Sequence, residues 1–297
     1  MFAGPSRFNE LASMSMAEQF QRFRSSHPVT HREISGHDWN IIATGKGDQT
    51  VVILPGGGGD AESMFPVVSG LEREYRVIAI GYPATAANAE DVIEGIKAIF
   101  DEYGVRHACL LGHSLGGMLA RAFSLKCPER VDSLIIANSA VYSPGRRLFF
   151  KAVLPVMACL PHAILVRAIR SGFNRLLKGH PDREFWLCYV NQCEMARPDS
   201  PGIRNQLSCM AGLLKDRNLT RTSPGEWNGR VLILESDQET GFTARERHDF
   251  RLLYPGASMH VFAHAGHLSF ITHTQEFVTI AGNFLAARKT TYAPKPG

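Results

Sequence analysis

LLGHSLGGML, residues 110–119, sets one serine between two apolar runs and brackets it with Gly112 and Gly116. The run before it, HACLLG (107–112), has the short apolar character of a buried strand. The run after it, GGMLARAFSLKCP (116–128), has the spacing of a helix that closes before Pro128. Glycines two residues either side of Ser114 let strand and helix approach without a Cβ clash. The serine then occupies a strained turn with its Oγ exposed at the carboxyl edge of a sheet, where ligands of open α/β sheets bind. It also stands at a helix N-terminus, where the N–H of Leu115 has no intrahelical acceptor and can meet a developing oxyanion. The plainer alternative is a helix-capping serine without chemistry. The strand–turn–helix setting favours the nucleophile.

The same alternation extends outward. TVVILPGGGG (50–59), YRVIAIGYP (75–83), VDSLIIANS (131–139), RVLILES (230–236) and SMHVFAHAG (258–266) each contain a short, mostly apolar run bounded by turn residues. Such runs suit parallel strands buried on both faces. Helical periods fall between them, at 61–72, AEDVIEGIKAIFDEYG (89–104), ARERHDFRLLYP (244–255) and TQEFVTIAGNFLAAR (274–288). VTHREISGHDWNIIATG (29–45) reads as a hairpin. The pattern predicts an α/β fold with a mostly parallel central sheet flanked by helices. The alternation stops at 141 and resumes after 225. We therefore expect an N-terminal extension (1–28), a core made of 29–140 and 226–287, a helical cap insert (141–225) and a polar C-terminal tail (288–297). Within the extension, Met16, Phe20 and Phe23 share one face of a short amphipathic helix.

Composition narrows the function classes. The 297 residues carry 32 Lys+Arg against 28 Asp+Glu, a net +4, with 44% apolar residues. The arginines are scattered and form no basic, aromatic-interleaved patch, so nucleic acid is not expected as a partner. No opening signal-peptide pattern is present. The longest apolar run, AVLPVMACLP, is broken by prolines and too short for a transmembrane segment. Six cysteines without a CxxC pair read as reduced thiols of a cytoplasmic protein.

A serine nucleophile needs a second oxyanion donor, a base and an acid. The LPGGGG loop (54–59) follows another strand of the same sheet, and Gly57 is the chosen donor with Gly58 as alternative. No G-K-[ST] follows, so this is not a phosphate loop, and no G-x-G-x-x-G order supports a dinucleotide. For the base, His267 in AHAGHLSF lies in a glycine-containing loop between the last strand and last helix, with His264 as rival. His113 is too close to Ser114 in sequence to act as its base, but can pack beside it or donate a hydrogen bond. For the acid, Asp237 is the first carboxylate beyond the apolar run VLILES and has a short side chain. Glu235 and Glu239 flank it as alternatives.

In family order, LPGGGG, RVIAIGYP, LLGHSLGGMLA, RVDSLIIANS, RVLILESDQ and AGHLSF make this sequence resemble the α/β-hydrolase fold family across residues 29–287. The resemblance implies Ser114 as nucleophile, His267 as base, Asp237 as acid, N–H groups of Leu115 and the glycine loop as oxyanion hole, and 141–225 as a cap. RVIAIGYP, SLGG, LIIANS and DQ followed by LYP further resemble maspardin-like members. Two departures stand out. Pro55-Gly56 replaces the His-Gly of many members, and His267 is present where maspardin itself lacks the triad histidine.

The leading expectation is a serine hydrolase, esterase or thioesterase, working through an acyl-enzyme. It would need no metal or organic cofactor and would act on a small-molecule ester or thioester with an apolar acyl part. The rivals are an interaction module on the same scaffold and C–C bond hydrolysis. An epoxide hydrolase or haloalkane dehalogenase is expected to place Asp at 114. The insert's aromatic and aliphatic residues, Phe149, Phe150, Phe173, Phe185 and Trp186 among them, read mainly as the cap's own core, with some lining an acyl pocket. Arg146, Arg147 and Lys151 beside apolar residues also fit a membrane-surface segment or a lid helix.

Overall fold

The computed structural model describes residues 14–86, 88–192, 202–215, 227 and 229–287. Eight strands form one sheet: β1 (Thr30–Ile34), β2 (His37–Thr44), β3 (Thr50–Leu54), β4 (Arg76–Gly81), β5 (Ala108–His113), β6 (Val131–Ala137), β7 (Arg230–Ser236) and β8 (Ser258–Phe262). Their spatial order is β1-β2-β4-β3-β5-β6-β7-β8. β1 and β2 form the expected hairpin, and β2 runs antiparallel to β4. Every pairing from β4 to β8 is parallel.

The strands read as unbroken apolar runs because both sheet faces are covered. Val52, Leu54, Leu110, Leu134 and Ile233 join one buried cluster. Their chain neighbours Val51, Ile53, Leu111, Ile135 and Leu232 join the other. This is the two-residue period of a strand expressed on two cores. α3 (Ala89–Glu102), α4 (Leu115–Lys126) and α9 (Ala244–Leu252) supply buried residues to the first core. α2 (Phe65–Leu71), α10 (Ser269–Thr272) and α11 (Thr274–Ala286) supply the second.

The N-terminal helix α1 (Met16–Ser26) is less peripheral than its sequence suggests. Ser15 and Glu18 form a capping box at its start. Phe20 and Phe23 are buried against Phe65, which removes enough apolar area to contribute about 2 kcal/mol each. Arg24 grips Glu62 through two hydrogen bonds of 2.6 Å.

Among the described residues four helices lie between β6 and β7: α5 (Pro144–Ala158), α6 (His162–Leu176), α7 (Arg183–Gln192) and α8 (Gly202–Lys215). Leu154 of α5 and Ala211 and Leu214 of α8 form a small core within the insert, with Phe150 and Met157 packed against it, but the insert is also tied into the two main cores. Trp186 and Val190 of α7 join the second core, and the Tyr189 hydroxyl donates to Asp60. Cys209 and Leu213 of α8 join the first core, while the Asn205 side chain donates to Ala84 O at 2.6 Å. Phe149, read from sequence as cap core, is instead exposed. Among the described residues no helix is long and apolar enough to cross a membrane.

Candidate active site

Ser114 follows β5 and precedes α4 with φ 52°, ψ −114°, in the region that costs a non-glycine residue strain. A Cβ on Gly112 would stand 2.3 Å from Gly116 O, and one on Gly116 would stand 2.0 Å from Leu54 O. Both glycines are therefore required for strand and helix to pass this closely. The Ser114 side chain makes no capping bond to α4, which removes the capping alternative. Its Oγ lies 2.9 Å from His267 Nε2.

His267 Nδ1 lies 2.7 Å from Glu239 Oε1. The expected acid, Asp237, is not there. It is exposed just past β7, and its carboxylate accepts the N–H groups of His264 at 2.8 Å and Ala265 at 3.1 Å. These bonds hold its pKa low and tie it to the turn after β8. The 237–243 loop then carries Glu239 to the imidazole. Glu235, the other alternative, is buried in an ion pair with Arg251. His264 is exposed with φ 59°, and its backbone serves Asp237.

Glu239 is held from several sides. Asn138 Nδ2 donates to its Oε2 at 2.7 Å, and Gly241 N donates to its Oε1 at 2.5 Å. Burial would push this carboxyl up, but the hydrogen bonds and the facing imidazole outweigh it and hold the pKa at about 2. Asn138 is itself locked, because its Oδ1 accepts the Ser269 hydroxyl at 2.5 Å, leaving Nδ2 to face the carboxylate. It stands just past β6 at φ 45°. Sequence reasoning missed it, although a polar residue closing an apolar strand at the carboxyl edge was a usable signal.

His113 lies beneath the site, and its Nε2 is 2.8 Å from His267 O. Burial, assisted by the neighbouring His267, pushes its pKa down to about 3. The ring is therefore neutral near pH 7, and since a carbonyl only accepts, its proton is on Nε2.

The glycine loop turns at Gly56–Gly59, closed by Gly59 N to Gly56 O at 3.0 Å, with Gly58 at φ 85°. The Tyr82 hydroxyl holds Pro55 O at 2.9 Å. Gly58 N donates to Gln206 Oε1 of α8 at 2.9 Å. That engagement occupies the N–H of the alternative donor. No sequence pattern marked Gln206, which arrives from the insert.

Ser114 opens on two compartments. One, of about 300 Å³, is lined by Leu115, Met118, Ile203, Met210 and Phe242, with Tyr142 and Gln206 the polar side chains besides Ser114. The other, of about 100 Å³, runs past His113 and His267 to Trp186, Leu268 and Phe270. Phe173 and Leu176 of α6 line both. Neither compartment has a lysine, arginine, aspartate or glutamate among its described lining residues. Among the described residues no three His, Cys, Asp or Glu side chains gather in a metal-binding group.

The profile of the alpha/beta hydrolase family matches residues 51–280, and the chain belongs to that family. Over 280 residues it is 25% identical to the 2-hydroxymuconate semialdehyde hydrolase of Pseudomonas putida, spanning 87% of this chain and 95% of that one. It is 26% identical to the pimeloyl-[acyl-carrier protein] methyl ester esterase of Aliivibrio salmonicida (strain LFI1238), spanning 79% of this chain and 91% of that one. A crystal structure of a hydrolase from Pseudomonas aeruginosa PA01 superimposes with a TM-score of 0.72 at 17% identity, over 87% of this chain and 98% of that one. The homologues are hydrolases of small molecules, which supports an enzymatic role for this chain.

Proposed function

We propose that the protein is a serine hydrolase of neutral carboxylic esters or thioesters, acting through an acyl-enzyme. The observation that carries this reading is the hydrogen-bonded line from Ser114 through His267 to Glu239, opening on two apolar compartments. His267 Nε2 takes the proton as Ser114 Oγ attacks the acyl carbon. Glu239 faces the Nδ1 proton and stabilises the imidazolium. The oxyanion falls between the N–H groups of Leu115 and Gly57. His267 then returns its proton to the leaving alcohol or thiol, and a water activated by the same ring releases the acid.

The apolar linings favour a substrate without a net charge, since an ion in either compartment would lose water without gaining a partner. A substrate derived from muconate, as in the name of the Pseudomonas putida relative, would call for a cation that the described lining residues do not supply. This observation ranks ester cleavage above C–C bond hydrolysis.

The test is covalent labelling with a fluorophosphonate together with turnover of a panel of neutral acyl esters and thioesters. Labelling should map to Ser114. Ser114→Ala should abolish it and lower turnover by several orders of magnitude, as loss of a triad member does. Absence of both labelling and turnover would leave the scaffold as an interaction module.

A further inference from the structure

We propose that the outer face of α5 and α6 docks on an anionic lipid surface. A surface helix ordinarily turns its polar residues to water. α5 does the reverse. Its solvent-facing stripe runs through Leu148, Phe149, Ala152, Pro155 and Val156, and none of these carries a charge or a side-chain hydrogen-bonding group. Leu148 is 71% exposed, Phe149 60% and Val156 65%, and Ile164 at the start of α6 adds 50%.

Charge is segregated onto the same pair of helices. From 144 to 181 the sequence has seven lysines and arginines and no aspartate or glutamate. The rest of the chain therefore carries a net negative charge. One of the seven, Arg146, is turned inward to Glu246 and Gly241 O. That corrects the grouping of Arg146 with a surface segment. The other six are Arg147, Lys151, Arg167, Arg170, Arg175 and Lys178. None of them makes an ion pair with a described residue, and the last four are exposed.

An exposed apolar stripe on α5, followed directly in the chain by the exposed cations of α6, suits a bilayer carrying anionic headgroups. The cations approach the headgroups, and Leu148 and Phe149 enter the acyl boundary. A second copy of this face would meet it with like charge. An acidic protein would answer the cations but would also need a matching apolar surface, whereas lipid chains accommodate side chains of any shape. The underside of α6 places Ile169, Phe173 and Leu176 along the compartments at Ser114, so docking would set the roof of the site against the membrane. The proposal does not depend on the reaction assigned to Ser114.

The experiment is flotation of the full chain with vesicles of phosphatidylcholine alone or with about 30% phosphatidylglycerol. Binding should be at least about tenfold tighter to the anionic vesicles and should weaken in 0.5 M salt, which about halves the screening length from its physiological value. Leu148→Ser with Phe149→Ser, and separately Arg167→Glu with Arg170→Glu, should each weaken binding about tenfold or more. Both double variants should keep the parent circular dichroism spectrum and fluorophosphonate labelling. Equal binding to both vesicles, no binding, or affinity unchanged in both variants would overturn the proposal. So would soluble polyglutamate binding as tightly as the vesicles, or a dimer in ultracentrifugation that the Leu148/Phe149 variant dissolves.

Discussion

Glu239 Oε1 stands 2.7 Å from His267 Nδ1, while the Asn138 amide holds the other oxygen of the same carboxylate at 2.7 Å. The acid is thereby oriented from both ends, and the imidazole is kept with its Nε2 toward Ser114. Asp237, only two residues earlier, spends its carboxylate on two backbone N–H groups. The two acids should separate cleanly. Glu239→Gln should lower kcat by about 10⁴-fold, the scale seen when a triad acid becomes an amide. Asp237→Asn should leave kcat within about threefold of the parent. Steady-state kinetics on one neutral ester decides between them, and the opposite ranking would return the acid to Asp237.

Asn138 acts through Glu239 and does not touch Ser114. Removing its donor in Asn138→Ala should lower kcat by about ten- to a hundredfold with KM little changed, since a hydrogen bond to a charged group contributes about 1.5–3 kcal/mol. It should also raise the pH at which the Glu239 carboxyl takes its proton, read by NMR of that carboxyl. The sign follows from the lost donor: the carboxylate form is less favoured, so Glu239 takes its proton at a higher pH. A merely structural role would lower activity without moving that titration.

His113 makes stability depend on pH. Its folded-state pKa is about 3 against an ordinary 6.5. Below 6.5 the unfolded chain binds a proton that the folded ring refuses, so stability falls as pH drops from 6.5 toward 3. The slope from this one group is at most about 1.4 kcal/mol per pH unit. Glu239 adds its own loss between its ordinary 4.5 and about 2. Between pH 6.5 and 4.5, therefore, His113→Asn should flatten the pH dependence of urea-unfolding free energy relative to the parent. A parallel pair of curves would refute this.

Gln206 links the insert to the oxyanion loop through Gly58 N. Gln206→Leu leaves that N–H without its acceptor and frees the loop. We expect kcat/KM on a short neutral ester to fall about tenfold, the scale of one hydrogen bond. Gln206→Glu keeps an acceptor oxygen and should stay within about threefold. Equal losses in the two variants would mean that side-chain shape, and not the bond to Gly58, sets the effect.

The features legible in the sequence are those written over a few consecutive residues. Apolar runs such as TVVIL and LIIA become strands because a backbone buried on both faces must pair with neighbours and shed polar side chains. Gly112 and Gly116 mark Ser114 because a Cβ at either position would collide with backbone. His267 is reachable because the loop after the last strand opens on the same sheet edge. The choice of acid was not written locally. Asp237 and Glu239 differ by two positions in one polar loop, and which of them meets His267 depends on N–H groups of the turn after β8 and on Asn138 from β6, both far along the chain. The same holds for Gln206 above the glycine loop and for the outward apolar stripe of α5. A helical period places Leu148 and Phe149 on one face, but only the packing of α5 on its other side decides that this face meets solvent. Local backbone geometry and burial propagate over a turn or a strand, whereas long-range hydrogen bonds and helix docking exist only once the chain has closed on itself.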